Sequence, residues 1–373
     1  MNRLLLASLC AAAAAPAAFA GAQIVPTTAQ ASPKAPAPRP FVAAEARETV
    51  EKLATALDEN FVFPEAGKSY AAALRAKLAS GGYDEFESAE AFAAAVTEDL
   101  QRVHADGHLR LHPPMPEGQA EPRRMGGPSS QEAIERAGWI AKDVAYIAFN
   151  GFPGDDATLT KLRQFLAAHD GAKTLIVDAR THRGGGLAEM DAMFPYFFAK
   201  PQTLVQMDTR VAAEDRHGSP MPDGPTLMKV SGPDGVYRRS HKVVPAAQAT
   251  ALRTAKIYLL TSGRTASAAE HLALSLKRTG RAVLIGEVTA GAGHYGGMVP
   301  LPGGYRAFIP VGRTFDPDNN QGWEGAGVKP DIEVPADRAL AEALIRSGVS
   351  AGEAERLAAE FRPSGSMERR PRR

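Results

Sequence analysis

From Ala43 to Val103 the apolar residues recur three and four apart, as in VEKLATALDENF (residues 50–61) and AFAAAVTEDLQRV (91–103), with a break at Gly81 and Gly82. That spacing lays them along helical stripes and predicts a small helical domain. After His104 the period changes. HLRLH alternates like a strand, Pro113 to Arg124 is a Pro-rich loop, and WIAKDVAYIAF (139–149) has the pattern of a β-ribbon. Beyond it strands and helices alternate: TLTKLRQFLAAH predicts a helix, TLIVDAR a buried strand, KIYLLTS another, SAAEHLALSLKRTG a helix closed by Gly280, and AVLIGE a return to a strand. Alternation of this kind implies an α/β layer architecture.

The first twenty residues join one early cation, an apolar run and a small-x-small end (Ala18, Phe19, Ala20), the pattern of a Sec-type signal peptide cleaved before Gly21. The only cysteine, Cys10, falls inside it, so the mature chain is expected to carry no thiol, disulfide or cysteine metal site. No later stretch is long and apolar enough for a membrane span, so we expect no integral membrane segment after cleavage and a bacterial periplasmic or secreted product. Lys plus Arg (43) nearly balances Asp plus Glu (42), which offers no electrostatic case for nucleic acid as a partner. The expected organisation is a signal peptide (1–20), a Pro/Ala-rich disordered leader (21–40), the helical domain (41–112), a linker loop (113–138), a catalytic domain (139–336) and a helical, basic tail (337–373). The turn-rich polar stretch from Asp208 to Ala246 could edge a cleft.

Three motif matches lead nowhere. GVSAG (348–352) lies between helical stretches with no histidine after Ser350, so a nucleophile-elbow triad cannot be built on it. GAGHYG (291–296) is followed by strand-like, proline-bearing sequence rather than by the helix a pyrophosphate site needs. His104, His108 and His112 would converge on a metal only on one helix, and Gly107 with the alternation after it breaks that helix.

TSGRTASAAEHL (261–272) is different. A strand delivers the chain to a turn at Gly263 and a helix starts near Ser267, flanked by alanines that would let a carbonyl approach its hydroxyl. The first amides of that helix could stabilise an oxyanion. Equally, Ser267 could be an N-cap with Glu270 completing a capping box. A second turn, TLIVDARTHRGGG (174–186), sets three glycines at a strand end, where backbone amides can meet a ligand or merely form a flexible turn.

Taken together, DARTHRGG, TSGRTASAAE, IGEVTAGAG and WEGAGVKPDIEV resemble, in order and spacing, four segments of the tail-specific proteases (C-terminal processing peptidases). The resemblance implies an α/β (α+β) catalytic domain of the ClpP/crotonase-like type, with the small helical domain in front. It implies a serine peptidase acting on peptide or protein substrates without metal or other cofactor, with Ser267 as nucleophile and the amides of Ala268 and of Gly184 or Gly185 as the oxyanion hole. Ala292 stands where the processing peptidases carry a lysine base, and the loop before Trp139 is too short for a PDZ domain. The chain is closer in pattern to the branch that includes the tricorn protease core and the interphotoreceptor retinoid-binding proteins, which implies His108 as general base and Glu324 as the residue that orients or polarises the apparatus. Gly107 replaces the serine that precedes the histidine in tricorn-type sites, and His182 replaces the asparagine of the D-x-R-x-N turn. A non-catalytic binder of an apolar ligand, or an esterase or amidase using the same residues, are the other readings.

Overall fold

The computed structural model describes residues 39–115, 132–248 and 250–369. The expected signal peptide, most of the leader, residues 116–131 of the expected linker and residues 370–373 lie outside the described residues.

In chain order the helices are α1 (Ala43–Asn60), α2 (Pro64–Ala79), α3 (Ala89–Val103), α4 (Asp156–Ala168), α5 (Ala188–Phe197), α6 (Val211–His217), α7 (Ala268–Arg278), α8 (Ala339–Arg346) and α9 (Ala351–Glu360). The strands are β1 (Arg110–His112), β2 (Ile134–Ala141), β3 (Val144–Phe149), β4 (Thr174–Asp178), β5 (Gln202–Arg210), β6 (Leu227–Val230), β7 (Val236–Val243), β8 (Lys256–Thr261), β9 (Val283–Gly286), β10 (His294–Pro300), β11 (Arg306–Phe315) and β12 (Ile332–Glu333). Local chemistry sets several boundaries. Ser88 caps α3 by accepting the Ala91 amide, Asp155 caps α4 by accepting that of Thr158, and Gly280, at φ +63°, lets the chain leave α7.

One sheet has the order β12-β9-β8-β4-β3-β2, parallel except for the β2–β3 hairpin. Its central strands β3 and β4 are buried at every position, as unbroken apolar runs in a two-sided sheet should be. One core joins it to α4, α5 and α7, and another joins its opposite face to α8 and α9. The second sheet runs β1-β11-β5-β7-β6, with β10 also paired to β11.

Four stretches add to the expected organisation. The N-terminal helices have no closed core of their own: α1, α2 and α3 bury Leu53, Phe61, Phe92 and Leu100 together with Tyr305, Ala307 and Ile309 around β11, and β1 pairs with β11. Strand β2 begins at Ile134, within the stretch expected to be linker. The tail holds two helices. The polar stretch from Asp208 carries the end of β5, α6, β6 and β7. It escapes the periodicity test because ion pairs occupy its buried positions: Asp208 bonds Arg238 (2.6 Å) and Arg313 (3.0 Å), and Glu214 bonds Arg239 (2.6 Å).

Candidate active site

Three neighbouring parallel strands, β4, β8 and β9, end side by side, and the turns that leave their carboxyl ends form the site, the usual place for a ligand in such a sheet. The turn after β4 is anchored by Arg180, which is 1% exposed. Its guanidinium grips the Asp178 carboxylate (Nη2–Oδ2 2.6 Å) and donates to the Ala336 carbonyl (2.9 Å), while the Tyr146 hydroxyl completes Asp178 (2.8 Å). Asp and Arg of the D-x-R segment are thus a buried, satisfied pair.

Three of the four hydroxyls in TSGRTAS stitch the turns together. Ser262 donates to the Arg180 carbonyl (2.5 Å), Thr265 to that of Ala179 (2.7 Å) and Thr261 to that of Glu287 (2.8 Å), and all three are fully buried. Ser267 is half-buried and takes the backbone conformation φ 57°, ψ −117° at the mouth of α7. A side chain at that φ costs on the order of 1–3 kcal/mol and persists only where its surroundings enforce it. Here the Ser267 amide donates to Glu270 Oε2 (2.8 Å). The capping-box carboxylate is present, and its other bonds reach the third turn: Thr289 Oγ1 (2.6 Å) and the amides of Gly291 (2.6 Å) and Ala292 (2.9 Å). Burial, working against those bonds, pushes the Glu270 carboxyl up to about 7.

The glycines opposite Ser267 are required by space. A Cβ on Gly184 (φ +109°) would lie 2.8 Å from Ser267 Cβ, and one on Gly185 (φ +137°) only 2.0 Å from the Phe152 carbonyl oxygen. The three proposed oxyanion donors are not equivalent. The Gly184 amide is already bonded to His182 Nδ1 (3.0 Å), whereas the amides of Gly185 and Ala268 have no hydrogen-bond partner among the described residues. His182, in the asparagine position, therefore acts as an acceptor, and burial pushes its imidazole down to about 3, so it is neutral. Gly185, Ser267, Ala268, Ala292, His294 and Trp323 share the lining of a cavity of ≈ 30 Å³.

His108 lines a second, larger cleft of ≈ 310 Å³ with Gly107, Ala266, Gly291, Ala292 and Phe308, and Ala292 borders both spaces. Its ring lies 5.1 Å from that of Phe308, and among the described residues its Nδ1 is buried without a partner and no hydrogen bond joins it to Ser267. Burial outweighs the nearby Asp106 and Glu324 carboxylates and holds the imidazole below its ordinary value, leaving it neutral. Glu324 touches the backbone instead of this ring: Oε1 accepts the Gly107 amide (2.6 Å), and Oε2 accepts those of Gly293 (2.6 Å) and His294 (3.1 Å). It fixes the peptide preceding His108. The absence of a serine at 107 has a steric reason, since a Cβ there would meet the Gly291 oxygen at 3.0 Å and Glu324 Oε1 at 3.2 Å.

Sequence reasoning missed two residues of this region. Asp106 Oδ1 accepts the amides of His108 (2.8 Å) and Leu109 (2.9 Å), and its Oδ2 bonds His294 Nδ1 (2.6 Å). The available signals were local: Asp106 precedes His108 in D-G-H, and His294 lies two residues beyond Ala292. The ligand atoms of Asp106, His294 and Glu324 fall within 4.8 Å of one another. They do not suit a metal, because the oxygens and Nδ1 that would bind it are engaged in the bonds just described.

The chain matches the model described as Peptidase family S41 over residues 143–334, and that of the N-terminal domain of Peptidase_S41 in eukaryotic IRBP over residues 42–136. Among solved structures it is similar to a candidate peptidase from Parabacteroides merdae, at 16% identity over 86% of this chain and 98% of that one, with a TM-score of 0.54. It is also similar to the photosystem II D1 C-terminal processing protease, at 14% identity over 84% and 99% of the two chains, with a TM-score of 0.50. At such identities the likeness is one of fold.

Proposed function

We propose, from the premise that this chain belongs to peptidase family S41 and is a serine-type peptidase with peptide or protein substrates, that hydrolysis runs through an acyl-enzyme on Ser267. The observation that carries this reading is Ser267 itself, half-buried at positive φ beside the amides of Gly185 and Ala268, which have no hydrogen-bond partner among the described residues. Its Oγ attacks the scissile carbonyl carbon, its proton passes to His108, and the carbonyl oxygen, now an anion, is held by the two amides. The C–N bond then breaks as the amine takes the proton back from His108. Water, deprotonated by the same imidazole, releases the acid and restores Ser267. His108, neutral at pH 7 because it is buried, has the protonation state a base needs. Ala292, standing where related enzymes have lysine, borders both the His108 cleft and the cavity at Ser267. Glu324 is a positioning residue that acts through the Gly107 peptide. The N-terminal pattern supports a periplasmic or secreted location.

One observation favours a second reading: a groove of ≈ 660 Å³ between α1, α6 and β10, whose lining does not include Ser267, would suit an apolar ligand in a non-catalytic binding protein. Intact-mass measurement after exposure to a fluorophosphonate separates the two. One adduct on the mature protein and none on Ser267→Ala is the expected result; an unmodified wild-type protein would overturn the acyl-enzyme reading.

A further inference from the structure

The cavity beside Ser267 contains a histidine to which the mechanism above gives no task. His294 is 5% exposed at the start of β10 and lines the same small space as Ser267 and the amide-bearing residues Gly185 and Ala268. That space, ≈ 30 Å³, has room for a water or a substrate oxygen, which needs roughly 10–15 Å³ on the same measure. Orientation is fixed from the other side, because His294 Nδ1 bonds Asp106 Oδ2 at 2.6 Å. Asp106 cannot swing away, its Oδ1 being held by the amides of His108 and Leu109. With Nδ1 committed, Nε2 is the nitrogen left for the cavity. A carboxylate gripping one ring nitrogen while the other serves the reaction is how serine hydrolases orient an imidazole.

We propose that His294 is a catalytic residue: an imidazolium held by Asp106 that donates a hydrogen bond from Nε2 to the oxyanion formed at Ser267. The proposal rests on Ser267 being the nucleophile. It moves no proton and adds one charged donor to the amides of Gly185 and Ala268, where a charge-assisted bond is worth more than a neutral one.

The surroundings favour the cation. Asp106 and Glu324 (Oε2 3.9 Å from Nδ1) face His294 with negative charge, Arg313 opposes them more weakly, the neutral His108 adds no charge, and the rings of Phe61 and Phe63 meet it edge-on. Although burial alone would lower it, the Asp106 bond and the two carboxylates leave the imidazole raised above its ordinary value of 6.5. His108 is shifted the other way. Two imidazoles whose environments drive them apart divide the work, the neutral one as base and the charged one as donor.

The test is the pH dependence of fluorophosphonate inactivation, because the probe's phosphoryl oxygen occupies the oxyanion position. The wild-type maximal inactivation rate should rise as His108 loses its proton and fall again, above pH 6.5, as His294 loses its own. His294→Gln should lower that maximal rate about 10²–10³-fold, leave the half-saturating probe concentration nearly unchanged, and abolish the alkaline fall. A variant that keeps the wild-type rate or the alkaline fall, or that loses rate only in proportion to unfolded protein by circular dichroism, would overturn the proposal. Should His294→Gln not fold, a wild-type profile flat from pH 7 to 9 overturns it equally. No adduct on Ser267 at any pH would sink the nucleophile assignment as well, whereas an adduct with a flat profile removes His294 alone.

Discussion

Acid should undo the oxyanion turn through His182, and the size of the effect follows from its surroundings. The imidazole is fully buried with its ring 4.1 Å from that of Phe152, its Nε2 has no partner among the described residues, and its Nδ1 accepts the Gly184 amide. Burial pushes it down to about 3, against an ordinary 6.5 once the chain unfolds. Because the folded value is depressed, the unfolded state binds the proton first: the full contribution to stability is present above pH 6.5 and is lost as pH falls toward 3. At about 1.4 kcal/mol per pH unit, the step from pH 7.5 to pH 5 should remove roughly 2 kcal/mol. His182→Asn retains an acceptor for the Gly184 amide but cannot titrate. It also loses the ring's packing against Phe152, a cost of about 1–3 kcal/mol that is the same at every pH. Chemical denaturation of both proteins at the two pH values therefore isolates the proton: wild type should lose roughly 2 kcal/mol more than the variant on acidification. Glu270, pushed up to about 7, contributes a slope of opposite sign but is common to both proteins and cancels. Parallel losses, agreeing within about 0.5 kcal/mol, would refute the claim that His182 is held neutral.

Three further substitutions probe the frame around Ser267. Gly185→Ala places a Cβ 2.0 Å from the Phe152 carbonyl at φ +137°, so the turn must open, and fluorophosphonate labelling should be abolished even in the fraction that remains folded. Gly107→Ser, which restores the residue found in tricorn-type sites, should slow labelling because its Cβ meets Gly291 O at 3.0 Å and moves the His108 peptide away from Glu324; a faster reaction would contradict this. Arg180→Ala leaves Asp178 charged and buried, which should cost about 3–5 kcal/mol by denaturant titration.

The α/β layering was legible because the buried parallel strands are unbroken apolar runs and the helices between them have apolar stripes and caps. The second sheet was not. After the buried Leu204, Val205 and Met207 of β5, the carboxylates of Asp208 and Glu214 and the guanidiniums of Arg238, Arg239 and Arg313 satisfy one another, so apolar alternation does not mark the rest of the stretch or β7. Strand β1 spans only Arg110–His112 and is defined by its partner β11. Its pairing also explains why the helical domain shares a core with the rest of the chain.

For the site, the division falls between contacts within a turn and contacts between turns. Ser267, Ala268 and the Gly184–Gly185 pair each sit in a contiguous strand-turn segment whose residue types suit an acyl-transfer site. The bonds that hold the base have no such signature: Asp106 reaches His294 across 188 residues, and Gly107 reaches Glu324 across 217. Both run from the loop after α3 to the region of the third turn, which Glu270 ties in turn to the amide of Ser267. The nucleophile turn and the two unbonded amides are built by the parallel sheet alone, whereas His108 is placed only when the α3 loop is docked against residues 291–294. On the mechanism proposed above, loss of the Glu324 and Asp106 bonds should leave Ser267 and the amides of Gly185 and Ala268 in position while displacing His108, so that peptidase activity would depend on docking of that loop rather than on formation of the turn at Ser267.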